Sequence, residues 1–278
     1  MIRASECAKS RFARFIHTSR LFATLCIAAC CGTKASAQSF ERENGGVIRG
    51  PKTAKAMALV FTGHEFAEGG ETILAELARH GAKSSFFLTG DFLTNTDHRE
   101  LVQRIVREGH YLGPHSDKHV LYCSWEVSRS TLITREQFRN DLECNLKKIE
   151  AFGVKEKDIR FFLPPYEHYN EVIVHWTQEM GLTLINYTPG TRSNADYTGE
   201  NEKNFVSSEA ILQSIIKQEQ RDPSGLNGFI LLLHIGSGPS RKDKFHLLFG
   251  ELMNRLAATH KFVRVDELLK QSETTNGH

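Results

Sequence analysis

Short apolar runs recur along this chain, each separated from the next by a segment long enough for a helix, and that alternation leaves few folds open. Ala56 to Phe61, Ser84 to Leu88, His110 to Leu112, residues 160–163, 182–186 and 229–233, and Phe262 to Val265 have the composition of buried strands. Between them, Glu71 to His80 places Ile73, Leu74 and Leu77 on one helical face, with Gly81 as the stop. Asp97-His98-Arg99-Glu100 reads as a capping box opening a helix through Glu108, ended by Gly109. Thr134-Arg135-Glu136-Gln137 reads as another, opening a helix to about Phe152. Further helices are expected over 170–180, 208–219 and 243–258. Strands joined by helical crossovers of this length form parallel sheets. About seven such units predict an α/β fold of a single domain, a distorted (β/α) barrel of about seven parallel strands.

The ends of the chain stand apart from that pattern. Residues 1–20 carry Arg3, Lys9, Arg11, Arg14 and Arg20, followed by the apolar run 21–31 and the small-residue site Ala35-Ser36-Ala37. A basic stretch, a short apolar core and an A-x-A site make residues 1–37 a secretory signal peptide, with an apolar core too short to span a bilayer. A second reading takes Ile27-Ala28-Ala29-Cys30 as a lipoprotein box and anchors the chain through lipidated Cys30. Residues 38–54 are then a polar lead-in, 55–270 the catalytic domain and 271–278 a flexible tail. The signal region holds 6 of the 35 basic residues and 1 of the 33 acidic ones, which leaves 29 against 32. With that balance and no basic tract, nucleic acid is not an expected partner. The expected location is periplasmic or extracellular, where Cys123 and Cys144 have the opportunity to pair.

Candidate chemistry collects where the apolar runs stop, which is where α/β folds build their sites. FTGHEF carries His64, GPHSDKH carries His115 and His119, FFLPPYE carries Tyr166, and LLLHIG carries His234. His115 and His119 are four apart, so a helical turn after Pro114 would let both imidazoles face one metal. A catalytic zinc takes three protein ligands and a water, and His64 supplies a third imidazole. His234 suits a general acid, because its unperturbed pKa lies near working pH. Pro164-Pro165 stiffens the turn before Tyr166, a rigid loop by itself, and stiffness of that kind matters where a backbone N–H must point at an oxyanion.

In order and approximate spacing these segments resemble the polysaccharide deacetylase (NodB-homology) family of carbohydrate esterases, over Ala56 to Leu269. ALVFTGHEF followed by ILAELARHGAKSSFFLTG resembles its T-F-D-D-G motif and the A-T-F-F strand after it. EGHYLGPHSDKH resembles G-H-x-x-x-x-H-[ST]-x-x-H, FFLPPYE resembles R-P-P-Y-G, and ILLLHIG the final L-x-H. The resemblance implies a divalent metal, zinc first, held by two His and one Asp, with an Asp as base and a His as acid. Carried over, His115 and His119 are the metal histidines, His234 the acid, and Tyr166 the residue whose N–H faces the oxyanion.

The first motif departs from that pattern. Thr62 stands where the base belongs and Gly63 where the metal Asp belongs, while a slipped reading puts His64 on the metal. Leu163 replaces the Arg that orients the base. Glu65, Asp117, Glu167 and Asp196 are the acids at hand, and Glu65 is taken as base because it adjoins His64. Arg192 is taken to bind substrate or replace the missing Arg, and Tyr166, Trp125 and Tyr169 offer rings for sugar stacking. The expected function is a metal-dependent hydrolase that removes N- or O-linked acetyl groups from a polysaccharide. The alternative is a catalytically degenerate, glycan-binding member of the same fold.

Overall fold

The computed structural model describes residues 40–270. The expected signal peptide over 1–37, the lipid site at Cys30 and the tail over 271–278 lie outside the described residues. In chain order the elements are β1 (Glu41–Glu43), β2 (Gly46–Arg49), β3 (Ala56–Gly63), α1 (Gly70–Arg79), β4 (Ser85–Leu88), α2 (Gly90–Thr94), α3 (Arg99–Arg107), β5 (Tyr111–Pro114) and α4 (Arg135–Glu150). They continue with β6 (Phe161–Phe162), α5 (Glu171–Glu179), β7 (Thr183–Leu184), α6 (Ser208–Arg221), β8 (Ile230–His234), α7 (Phe249–Leu256), β9 (Lys261–Val263) and α8 (Val265–Leu268).

Seven of the strands are parallel, as the alternation predicts. β5, β4, β3 and β8 lie side by side, β9 pairs with the start of β3, and β6 pairs with β7. Single contacts join the two groups. Leu163 N–H donates to Pro114 O at 3.3 Å between the ends of β6 and β5. Thr188 N–H donates to Ile230 O at 2.9 Å between the continuation of β7 and β8. Regular pairing on one side and isolated contacts on the other make the barrel distorted.

Both sequence faces of the strands are buried. Leu59 and Phe61 of β3 pack against the helices with Ile73, Leu77, Phe86 and Phe249, while Ala58 and Val60 face Phe87, Ile230 and Leu232. That is why these strands read as continuous apolar runs rather than alternating ones. Helices α1 and α3 end on Gly81 and Gly109, whose φ of 59° and 79° are left-handed conformations that stop a helix without steric cost.

Two details differ from the sequence expectation, and two others match it or resolve it. Residues 41–49 form an antiparallel hairpin turned by Asn44-Gly45, with φ of 44° and 85°. Asn-Gly is a strong short hairpin signal, and Val47 of this hairpin is buried and bridged to Ile185. Asp97 does not cap a helix: Asn95 accepts from Asp97 N–H to open a short 3-10 turn, and α3 starts after His98 with no side-chain cap. The box at Thr134 and Gln137 is complete in both directions. Cys123 is buried, Cys144 is exposed, and both are free.

Candidate active site

The C-terminal ends of β3, β5, β6 and β8 gather the imidazoles that the sequence singles out. His64 and His119 stack with ring centroids 4.7 Å apart, and His115 and His119 lie at 5.2 Å. Tyr166 packs on the far side of His119 at 4.4 Å. His115 and His119 are not brought together by a helical turn. Pro114 ends β5, and Ser116 and His119 then take left-handed φ of 79° and 54°, which folds the segment into an irregular loop.

That loop is held from one face of α4. Asp141, Asn145 and Lys148 fall at helical spacing and point the same way. Asp141 accepts from the N–H groups of Asp117 and Lys118, both at 3.2 Å, and from the Tyr122 hydroxyl at 2.6 Å. Fully buried Asn145 accepts from His115 N–H at 2.9 Å and donates to Leu88 O at 3.1 Å, so it ties the ends of β5 and β4 together. Lys148 pairs with Asp117 at 2.5 Å.

The donor chemistry suits zinc. His115 Nδ1 lies 2.8 Å from Leu163 O and His64 Nδ1 lies 3.2 Å from Thr89 Oγ1, which leaves Nε2 of each ring free. Burial, with His119 alongside, holds His115 well below the usual histidine range. Burial, with His64 and His234 nearby, lowers His119 to about 3. Both therefore stay in the neutral form that ligates metal. Among the described residues no three His, Cys, Asp or Glu side chains converge on one point in this arrangement.

Crowding at Gly63 bears on the two alignments of the first motif. A β-carbon on Gly63 would lie 2.7 Å from Ile235 Cγ2, 2.9 Å from Leu88 Cδ2 and 3.0 Å from Phe92 Cε2, so a carboxylate there requires these side chains to shift. His64 is the residue that faces the other imidazoles. Thr62 is buried, pairs in register with His234, and its hydroxyl has no partner among the described residues.

His234 stands at the end of β8 beside a partner that sequence spacing does not reveal. Asp196 accepts from His234 N–H at 2.9 Å with one oxygen and lies 2.6 Å from His234 Nδ1 with the other. Burial alone would depress His234, but Asp196 and then Glu167 outweigh it and raise its pKa. The Tyr197 ring covers His234 at 4.6 Å. Asp196 and Tyr197 sit in a loop organised by Arg241, which is wholly buried. Its guanidinium donates to the carbonyls of Ala195 (3.3 Å), Thr198 (3.0 Å), Val206 (2.8 Å) and Asp243 (2.6 Å), and to Ser208 Oγ (3.2 Å). Every N–H of the fork is thereby satisfied.

The remaining expected residues fall as follows. Glu65 and Arg192 are exposed, and neither side chain makes a hydrogen bond or ion pair among the described residues. The long loop delivers Asp196, not Arg192, to the imidazoles. Trp125 is 64% exposed and stacks on buried His168 at 4.1 Å, with Tyr166 edge-on at 6.0 Å. Tyr169 is buried and donates to Glu43 O, which takes it away from any ligand. Tyr166 and Glu167 have φ of 59° and 53°. Among the described residues, four of the six non-glycine residues with positive φ thus lie in the two loops beside the imidazoles, each at a cost of about 1–3 kcal/mol. A cavity of about 1300 Å³ lined by Phe40, Ile159, Arg160 and Thr183 holds none of these groups.

The family model described as polysaccharide deacetylase matches residues 49–185. Among curated proteins, peptidoglycan-N-acetylglucosamine deacetylase of Bacillus cereus is 24% identical over 184 residues, 65% of this chain and 62% of that one. The chain therefore spans less than two thirds of that relative's length. The solved structure of PdaA from Bacillus subtilis, a family 4 carbohydrate esterase, has a TM-score of 0.64 at 21% identity, covering 81% of this chain and 85% of that one. A family 4 pseudoenzyme from Bacillus anthracis has a TM-score of 0.62 at 19% identity, covering 82% and 70%. At these identities the structural matches establish the shared barrel.

Proposed function

This chain belongs to the polysaccharide deacetylase family, and on that premise we propose that it is an exported, zinc-dependent hydrolase removing acetyl groups from an acetylated polysaccharide. The observation that carries this reading is the Asp196–His234 pair set against a cluster of neutral imidazoles. A protein that only binds glycan has no use for a general acid, which is what a histidine paired with a buried carboxylate provides.

His64, His115 and His119 would hold the metal. When bound, zinc supplies Lewis acidity that polarises the acetyl carbonyl and lowers the pKa of water to about 7. His234, with Nδ1–H donated to Asp196, presents Nε2–H to the departing amine nitrogen and protonates it as the C–N bond breaks. The Tyr166 backbone, locked after two prolines, is suited to meet the developing oxyanion. Trp125 and Tyr166 form an exposed aromatic shelf beside this point, fitted to the apolar face of a sugar ring. The named relatives support N-acetylated peptidoglycan glycan as the first substrate to try.

The test is acetate release from isolated peptidoglycan and an N-acetylglucosamine hexamer, before and after chelation. Release abolished by chelator and restored by zinc supports the reading. A specific observation favours a second one: Thr62, Gly63 and Leu163 remove the family's base, metal Asp and orienting Arg together. A mutant of the Bacillus anthracis pseudoenzyme has restored enzymatic activity, so losses of this kind are borne by that fold. Zinc-bound protein that binds the hexamer and releases no acetate would establish the degenerate, glycan-binding reading.

A further inference from the structure

Hydrolysis of an amide needs a proton acceptor for the attacking water, and the acids round the imidazoles differ in their freedom to serve. Asp196 is committed to His234, Asp117 to Lys148, and Glu68 to Lys244. Asp141 is taken by two backbone N–H groups and the Tyr122 hydroxyl. Glu65 is exposed to solvent. Glu167 alone of this group is half-buried with a carboxyl that makes no hydrogen bond or ion pair among the described residues.

Its backbone is unusual as well. Glu167 follows Tyr166 in a left-handed pair, a conformation that glycine would adopt at no steric cost. Buried Asn186 holds the strained turn by donating to Glu167 O at 2.8 Å. Tyr166 lies against His119, and the charge of the next residue's carboxyl reaches His234, Tyr187 and Tyr197. Glu167 is therefore one residue from the ring that packs on His119 and within electrostatic reach of the acid His234. Retaining a strained, unpartnered carboxyl there has no packing rationale, and such outliers point to function.

Resting on the deacetylase reading, we infer that Glu167 is the general base of this chain. The water oxygen forms a bond to the acetyl carbon while Glu167 takes one of its protons. The C–N bond then breaks, His234 gives its Nε2 proton to the nitrogen, and acetic acid and the free amine leave. Glu167 returns its proton through solvent to His234, which restores both groups. Burial lifts the Glu167 carboxyl to about 7, with His234 opposing and Asp196 reinforcing that rise. A base is most effective when its pKa lies near working pH.

The experiment uses the full chain with zinc and the N-acetylglucosamine hexamer. Glu167→Gln should lower kcat by roughly a hundredfold or more, with KM and zinc affinity within about threefold of wild type. Glu167→Gly should lose the same activity while its thermal midpoint rises by about 2–4 °C, because the left-handed strain is relieved. In zinc-free protein, an NMR titration of His234 should move to lower pH in Glu167→Gln, since an anion within reach of the acid is gone. An active wild type with Glu167→Gln within threefold of it overturns the assignment and leaves the deacetylase reading standing. A hundredfold loss in Glu65→Gln instead transfers the role to Glu65 and likewise overturns it. An unmoved His234 titration shows that the carboxyl does not reach the acid, against the proposal. A zinc-loaded wild type without turnover sinks both readings.

Discussion

Arg241 is the most exposing point at which to test how this site is held. Its guanidinium is wholly buried, and its donors end on Ala195, Thr198, Val206, Ser208 and Asp243. Arg241→Met keeps much of the packing volume but leaves the Thr198 and Val206 carbonyls without a donor, while Ala195 O keeps Thr198 and Asp243 O keeps Ser208. Each orphaned buried acceptor costs about 1–3 kcal/mol. The loop can relax toward water, so the sum is not additive, and about 3–5 kcal/mol is expected, as when one member of a buried charged network is removed. A chain of this size shifts by about 2–4 °C per kcal/mol, which predicts a fall of about 6–20 °C in thermal midpoint by calorimetry. Because the same loop carries Asp196, the His234 titration should fall in parallel. Arg241→Lys should recover little, since one ammonium cannot replace a planar fork. A midpoint within about 2 °C of wild type, with His234 titrating unchanged, would refute the claim that this arginine builds the loop.

Asn145→Leu should destabilise the fold by about 2–4 kcal/mol in urea unfolding and weaken zinc binding, because His115 N–H and Leu88 O lose their shared partner. An unchanged zinc affinity would mean that Asn145 does not position His115. Asp196→Asn should lower the His234 pKa, read by NMR. The sign follows from the raised native value: the stability that Asp196 confers through His234 is fully present below about pH 6.5 and lost as pH rises through the native pKa. The stability gap between wild type and Asp196→Asn should therefore be wider at pH 5.5 than at pH 8.5, and the reverse ordering would count against the pair. Gly63→Asp, which writes the family's metal carboxylate back into the strand, should cost about 1–3 kcal/mol by overpacking and improve neither zinc affinity nor turnover. A tighter zinc site in that variant would show that Ile235, Leu88 and Phe92 yield more readily than their spacing implies.

What could be read in advance follows from the range over which each feature is encoded. Strands buried on both faces announce themselves as apolar runs, and α1 through its helical stripe and Gly81, so the parallel barrel was legible. The Asn44-Gly45 hairpin was equally local and lay open to notice, but the surrounding polarity of residues 38–54 masked it. Asp97 was misread because Asn95, two residues earlier, captures its N–H first and starts a tighter turn. At the site, strand-end position singled out His64, His115, His119 and His234, of which the first three lie ring to ring, while the helical rationale for His115 and His119 failed on two left-handed residues.

By itself, then, the sequence determined the α/β class, the strand ends that bear chemistry and the loss of the family's usual carboxylates, because each of these resides in residue type and short-range periodicity. Only the tertiary structure decided which groups meet. Asp196 reaches His234 across 38 residues, and Arg241 gathers carbonyls from 43 and 35 residues away. The packing round Gly63, and not its identity, crowds the place of a metal carboxylate. Glu167 gains its character from burial and from the charges within its reach, neither of which is a property of the segment FFLPPYE. Contacts of that range are set by how the strands close on one another, and no local pattern carries them.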